Sequence, residues 1–186
     1  DRVVDLLPGR AWLSNEERGS VTLVNGATGE PEFEMRFDGA AGDEFEVVQG
    51  PEGVFVVNRS TGEIIRIDGA AQSIGGSIKV DVADEPLFLI GGGRAYLVLR
   101  APGTVMEIDP ASADLAPVGN TVELGASIEA AVVDGDGTLA AAVVGNGKVA
   151  FVDGSNVIGA VSVNPPGDPL TVSLVGDRVV SIARNR

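Results

Sequence analysis

Cysteine and histidine are both missing from this sequence of 186 residues. Without cysteine there is no disulfide framework and no thiolate metal site. Without histidine, no Ser-His-Asp triad, His-ligated zinc or imidazole proton shuttle can be assembled from this chain alone. Aromatic residues are few, six Phe with one Trp and one Tyr, and only Lys79 and Lys148 among the 13 basic residues are lysine. No run approaches the roughly 18 apolar residues that a membrane helix needs, so direct membrane insertion of this segment is not expected. No basic-plus-apolar leader opens the chain, which starts at Asp1 rather than Met and reads as a mature or excised segment. No 11-residue window keeps a period of 3.6, so essentially no helix is expected.

What is present is acidic, aliphatic and rich in turn formers. Twenty-seven Asp and Glu against 13 Lys and Arg give a net charge of −14. A field of that sign repels nucleic-acid phosphates and anionic membrane surfaces, which excludes both as expected partners. Hydrophobic residues make up 44%, enough for a sizeable core and too many for a disordered chain. Many Val and Ile between 26 Gly and 10 Pro favour short strands joined by tight turns.

The chain repeats itself. Phe45 to Gln49, Val54 to Asn58, Glu63 to Asp68 and a segment near Ser77 to Val82 read as four successive strands, and the same order returns along the sequence. Taken from the second strand of each unit, Trp12, Phe55, Tyr96, Ala141 and Val180 recur at steps of 43, 41, 45 and 39. The third strands end at Asn25, Asp68, Asp109 and Asp153, with steps of 43, 41 and 44. First strands such as Leu87 to Ile90 are continuously apolar, as buried inner strands are, whereas Phe33, Met35 and Phe37 alternate with Glu34 and Arg36 as an outer strand requires. Asn25-Gly26, Asp68-Gly69 and Asp153-Gly154 supply the hairpin turns. A period near 43 with four strands per unit is the pattern of a β-propeller blade. The expected architecture is therefore an all-β single domain with blades over about 2–38, 44–82, 86–124 and 128–164 and half of a fifth over 169–184. Val3 to Leu7 is expected as the first strand of the first blade, and the natural protein is expected to continue past Arg186 into a larger ring. The half blade leaves exposed edges, so edge-strand self-association is a further expectation.

Gly19-Ser20-Val21-Thr22-Leu23-Val24-Asn25-Gly26-Ala27-Thr28-Gly29-Glu30 and Thr104-Val105-Met106-Glu107-Ile108-Asp109-Pro110-Ala111 resemble the core of the YVTN-type repeats of bacterial surface propellers. Glu44 to Gln49 followed by Val56 to Thr61 resembles, more particularly, the N-terminal extracellular segment of actinobacterial membrane-anchored proteins with fibronectin type III or Ig-like domains. The first likeness covers nearly the whole chain and the second only residues 10 to 70. Ala140 to Ala142 depart from the pattern, standing where the other repeats carry aromatic or large aliphatic side chains. The resemblance implies a recognition propeller outside a bacterial cell, with protein or glycan partners at the cell surface and no catalytic residues to carry over.

One set of residues recurs with chemical potential. Asp43 and Glu44, Asp84 and Glu85, Glu129, and Asp168 all stand just before a first strand. In a propeller such positions border the channel mouth, where gathered carboxylates would hold a hard cation such as Ca²⁺ through oxygen ligands. Solvation of polar loops accounts for the same acids without any ligand. Two functions therefore stand open: a non-catalytic extracellular recognition or scaffold propeller, and a carboxylate- and Ca²⁺-dependent hydrolase or lactonase-like propeller. Asp134-Gly135-Asp136-Gly137-Thr138 is expected as a hairpin turn rather than a calcium loop, because Gly145 stands where the ligating Glu would be needed. Asn58-Arg59-Ser60 has the form of a glycosylation sequon. Trp12, Phe55 and Tyr96 are expected in the packing between blades.

Overall fold

In the computed structural model, residues 9–69, 71–112, 114–176 and 178–183 are described. They form seventeen strands in five antiparallel sheets. The first sheet is β1 (Arg10–Asn15), β2 (Ser20–Asn25) and β3 (Pro31–Arg36). The second runs β4 (Phe45–Gly50), β5 (Gly53–Asn58), β6 (Glu63–Asp68) and β7 (Ser73–Lys79). The third runs β8 (Pro86–Gly91), β9 (Arg94–Leu99), β10 (Thr104–Ile108) and β11 (Pro117–Glu123), and the fourth β12 (Ile128–Val133), β13 (Thr138–Val143), β14 (Lys148–Asp153) and β15 (Asn156–Ser162). A hairpin of β16 (Leu170–Val175) and β17 (Arg178–Ala183) follows. Every strand pairs with its sequence neighbour, so each sheet is a meander. Helix is confined, among the described residues, to 3₁₀ turns at Val82–Asp84 and Val144–Asn146. The expected strand at Val3 to Leu7 lies outside the described residues.

The fourth strand of the second sheet departs from expectation. It spans Ser73–Lys79 rather than the segment near Ser77 to Val82, part of which is instead the 3₁₀ turn. The hairpin after Asp68 is short, with Asp68 opposite Ser73 and Ile67 opposite Ile74, so the ladder must begin before the apolar alternation at 78, 80 and 82. Val80 N–H then leaves the ladder and donates to Gly62 O at 3.0 Å.

The chain divides into two compact units, one through Val82 together with Ala111–Leu115, the other comprising Ala83–Pro110 and the chain from Ala116 onward. In the first unit the core between the first two sheets joins Trp12, Val21, Leu23 and Met35 to Phe45, Val54, Val56, Ile65 and Ile67. Trp12 meets Phe33 edge to face, with ring centroids 6.1 Å apart. In the second unit Tyr96, Val98, Val105 and Val122 pack against Ile128, Val133, Leu139, Ala141 and Val143. On the other face of the fourth sheet, Ala140, Ala142 and Val149 receive Leu170 and Val172 of the β16–β17 hairpin. Alternation explains both contacts, because neighbouring residues of β13 point to opposite faces.

Two devices recur with the repeat. The outermost strands β3, β7, β11 and β15 each shift register against their neighbour, at Leu23/Val24, Arg66/Ile67, Val105/Glu107 and Phe151/Val152. Bulges of this kind twist an exposed edge and oppose its pairing with other chains. The turn from second to third strand carries a glycine in the left-handed region, at Gly19, Gly62, Gly103 and Gly147. A Cβ there would collide with the backbone of the segment leaving the outermost strand, at Ala40, Val80, Ala126 and Asn164. Each glycine carbonyl accepts a backbone hydrogen bond from that segment, from Phe37, Val80, Leu124 and Val163 at 2.8 to 3.0 Å. One missing side chain thus lets the linker to the next sheet cross the turn at hydrogen-bonding distance.

Candidate functional site

The six candidate acids fall in both units and are best followed one sheet at a time. In the first unit Asp43 Oδ2 accepts a hydrogen bond of 2.7 Å from Asn58 Nδ2. Asn58 is only 4% exposed, and its Oδ1 accepts from the N–H groups of Ser60 and Thr61, both at 3.0 Å. That asparagine is a turn anchor whose amide is already committed, so the sequon at Asn58-Arg59-Ser60 is closed in the folded chain. Glu44 accepts from Arg59 N–H through its carbonyl at 2.8 Å, while its exposed carboxylate lies 4.0 Å from Arg59 Nε. The Arg59 guanidinium also pairs with Glu46, a β4 residue whose side chain is largely buried.

The second unit repeats the pairing. Glu85 Oε2 lies 2.9 Å from Arg100 Nη2, and Glu85 O accepts from Arg100 Nε at 3.4 Å. Arg100 Nη1 reaches across to donate to Glu129 O at 3.2 Å. Asp84 contributes its carbonyl to Ala101 N–H at 3.1 Å. Glu129 is the extra residue of a bulge in β12, since Ile128 opposes Val143 and Ala130 opposes Ala142. Released from the ladder, its Oε2 accepts from Leu170 N–H at 3.1 Å and so fixes the first residue of β16. Asp168 donates its N–H to Pro165 O at 3.2 Å, closing the turn that precedes that strand.

Two of the acids, Glu44 and Glu85, are therefore accompanied by cations that sequence reasoning missed. Arg59 and Arg100 each stand one residue past a second strand, and they are 41 apart, the same step that separates Glu44 from Glu85. The periodicity that exposed the acids contained the arginines as well. In the fourth sheet Ser127 and Val144 occupy the equivalent places, keeping the backbone bond at 3.2 Å without an ion pair. Among the described residues, no three Asp, Glu, His or Cys side chains are grouped to hold a metal ion. A guanidinium pairs with Glu44 and with Glu85, a side-chain amide with Asp43 and a backbone N–H with Glu129.

The remaining motifs resolve as turns and core. Asp134 Oδ1 accepts from the N–H groups of Asp136 at 3.0 Å and Thr138 at 2.8 Å, so this carboxylate closes its own hairpin turn. Trp12, Phe55 and Tyr96 are all buried. Open clefts lie against some of the candidate acids: one of about 410 Å³ in the first unit, bordered by Asp43 and Asn58, and one of about 450 Å³ in the second, bordered by Glu85, Arg100 and Glu129.

No protein-family model and no curated protein matches the sequence. Solved structures do match in shape. A catalytically inactive histidine-to-alanine form of virginiamycin B lyase from Staphylococcus aureus with quinupristin is 13% identical, with a TM-score of 0.62 over 88% of this chain and 56% of that one. BamB from Moraxella catarrhalis is 11% identical, with a TM-score of 0.62 over 97% of this chain and 53% of that one. BBS1N in complex with ARL6DN is 16% identical, with a TM-score of 0.64 over 90% of this chain and 52% of that one. The chain thus spans about half the length of the structures it matches. At these identities the likeness is one of fold, and the fold is all-β, of the β-propeller type.

Proposed function

We propose that this chain is a non-catalytic recognition and scaffold propeller segment of a bacterial cell-surface or secreted protein, with a protein partner. One observation carries the reading: three of the six recurring acids, the best catalytic candidates, brace the fold through their carboxylates. Asp43 anchors Asn58, Glu85 pairs with Arg100, and Glu129 fixes the start of β16. Each of these carboxylates commits one oxygen to a partner in its own fold, which supports a structural role. Virginiamycin B lyase shares the fold, and a histidine-to-alanine form of it is catalytically inactive; this chain holds no histidine. BBS1N, also alike in fold, is seen bound to another protein. The cell-surface assignment is supported by the resemblance of the repeats around Asn25 and Asp109 to those of bacterial surface propellers.

The test makes two measurements on the purified chain. Lactone and ester hydrolysis is followed with and without Ca²⁺, and the chain is photo-crosslinked on intact cells of the bacterium that encodes it. The expected result is no turnover above buffer and a saturable crosslink to one surface protein. Turnover that needs Ca²⁺ and disappears in Glu85→Gln or Glu129→Gln would replace this reading with the hydrolase one.

A further inference from the structure

The cleft of about 410 Å³ in the first unit differs from the rim around it in how its charges are matched. It lies between the segment that follows β3 and the sheet β4–β7, and its lining includes Glu63 and Ile65 of β6 and Ile74 and Lys79 of β7. Ile74 opposes Ile67 and Lys79 opposes Glu63, so these two ends are four ladder steps apart, about 13 Å at about 3.3 Å each. Ile65, 4% exposed, forms part of the floor, and Phe37 and Ile74 flank it; Ile74 is 54% exposed, an aliphatic side chain left in water on an outer strand. Three carboxylates line the same cleft: Asp38, Asp43 and Glu63. Asp43 is held in place by buried Asn58. Asp38 and Glu63 close no ion pair or side-chain hydrogen bond with the described residues. Two cations also border it: Arg36 is committed to Glu34 at 3.0 Å, and Lys79 stands opposite Glu63 across β6–β7 without closing an ion pair with the described residues.

We propose that this cleft is a docking groove for an extended peptide of a partner protein, presenting a lysine or arginine beside an aliphatic side chain. The inference rests on the recognition reading above and names the partner's chemistry. A groove of this length matches several residues of extended chain, and its volume falls in the range of roughly 300–1,000 Å³ where ligand sites lie. The carboxylates are spread along it and form no chelating group among the described residues, so they suit a cation carried on a chain better than a bare ion. The aliphatic flank supplies area for the neighbouring side chain, and the chain's net charge of −14 steers a basic segment toward it.

The probe is an array of acetylated, amidated peptides about seven residues long. One arginine or lysine is moved through a leucine–serine background, beside a matched set with glutamate in its place. The basic set should bind and the glutamate set should not. Asp38→Asn combined with Glu63→Gln should weaken binding by about tenfold at unchanged melting temperature. Asp136→Asn combined with Glu123→Gln, which removes the same charge elsewhere, should leave binding as it was. Equal binding of both peptide sets, equal loss in both variants, or displacement of the peptide by Ca²⁺ but not by Mg²⁺ would each overturn the groove. If the array fails while the cell-surface crosslink persists, the groove is wrong and the recognition reading survives. Loss of both removes both.

Discussion

The seam between the first two blades and the seam between the third and fourth solve one problem with different side chains. Each must close an apolar interface over backbone groups that still need partners. In the first, the Gln49 side-chain amide imitates a neighbouring strand: its Oε1 accepts from Trp12 N–H at 3.1 Å, and its Nε2 donates to Trp12 O at 3.4 Å. Around that pair lie Trp12, Phe33, Met35, Phe37 and Phe45. In the second, the buried Tyr96 hydroxyl donates to Gly137 O at 2.8 Å and accepts from Gly154 N–H at 3.0 Å, tying one β9 side chain to two turns of the next blade. Arg94 adds an ion pair to Asp153 at 2.8 Å on the exposed side. The first seam is filled by bulk and sealed by an amide. The second is filled by aliphatic side chains and sealed by a phenol. The small side chains of β13 are what let neighbours approach from both faces, Tyr96 and Val98 on one and Leu170 and Val172 on the other.

The difference can be broken seam by seam, because the chain's only Trp lies in the first and its only Tyr in the second. Trp12→Ala should have the largest effect, about 3–5 kcal/mol of destabilisation for a buried aromatic whose cavity cannot collapse. Chemical denaturation followed by backbone circular dichroism measures it, and hydrogen exchange should show the loss concentrated around β1–β7. An effect below about 1 kcal/mol would mean that the seam repacks freely. Tyr96→Phe keeps the ring but strands the Gly137 carbonyl and the Gly154 N–H, and should cost about 1–3 kcal/mol. Exchange should then accelerate at Gly154 and in the turn 134–137 while β1–β7 stays protected. Gln49→Leu leaves the Trp12 groups partly open to water and should cost about 1 kcal/mol, with the Trp12 fluorescence reporting the change.

The smallest effect concerns the outer strand of the first blade. The Arg36 guanidinium, then the Ser20 hydroxyl, hold the Glu34 carboxyl below the usual carboxylate range. A carboxylate depressed in the folded state contributes stability that is present above its unfolded value. That contribution is lost as pH falls through the folded value. NMR titration should therefore find Glu34 protonating at lower pH than an ordinary glutamate, with Arg36→Gln moving it back up. A titration unchanged by that substitution would assign the shift to something other than the guanidinium.

Much of the fold was legible in the chain, for reasons tied to particular residues. Strand alternation in Phe33, Met35 and Phe37 and turn pairs such as Asn25-Gly26 are local, so they can be read without a partner. The recurrence of Trp12, Phe55 and Tyr96 carried the unit length, and all three are buried in the fold. The recurrence of Gly19, Gly62, Gly103 and Gly147 was equally visible, but its meaning was not, since the backbone each glycine must clear arrives from many residues away. The candidate acids were legible by position, but their partners were not. Glu44 and Glu85 looked like a rim of one sign until Arg59 and Arg100 were seen beside them. Glu129 was found as one more acid, and only the bulge in β12 shows why its carboxylate turns to Leu170.

The sequence by itself determined the repeat, the strand order within it and the absence of imidazole and thiol chemistry. All three follow from residue identity and from interactions spanning a few positions. Tertiary structure alone decided which charges meet, which asparagine is closed, where β7 begins and which carboxylates remain unmatched along a groove. Those outcomes depend on distances between segments as far apart as Tyr96 and Gly154, and pairing of charges across such distances is settled by how the sheets pack.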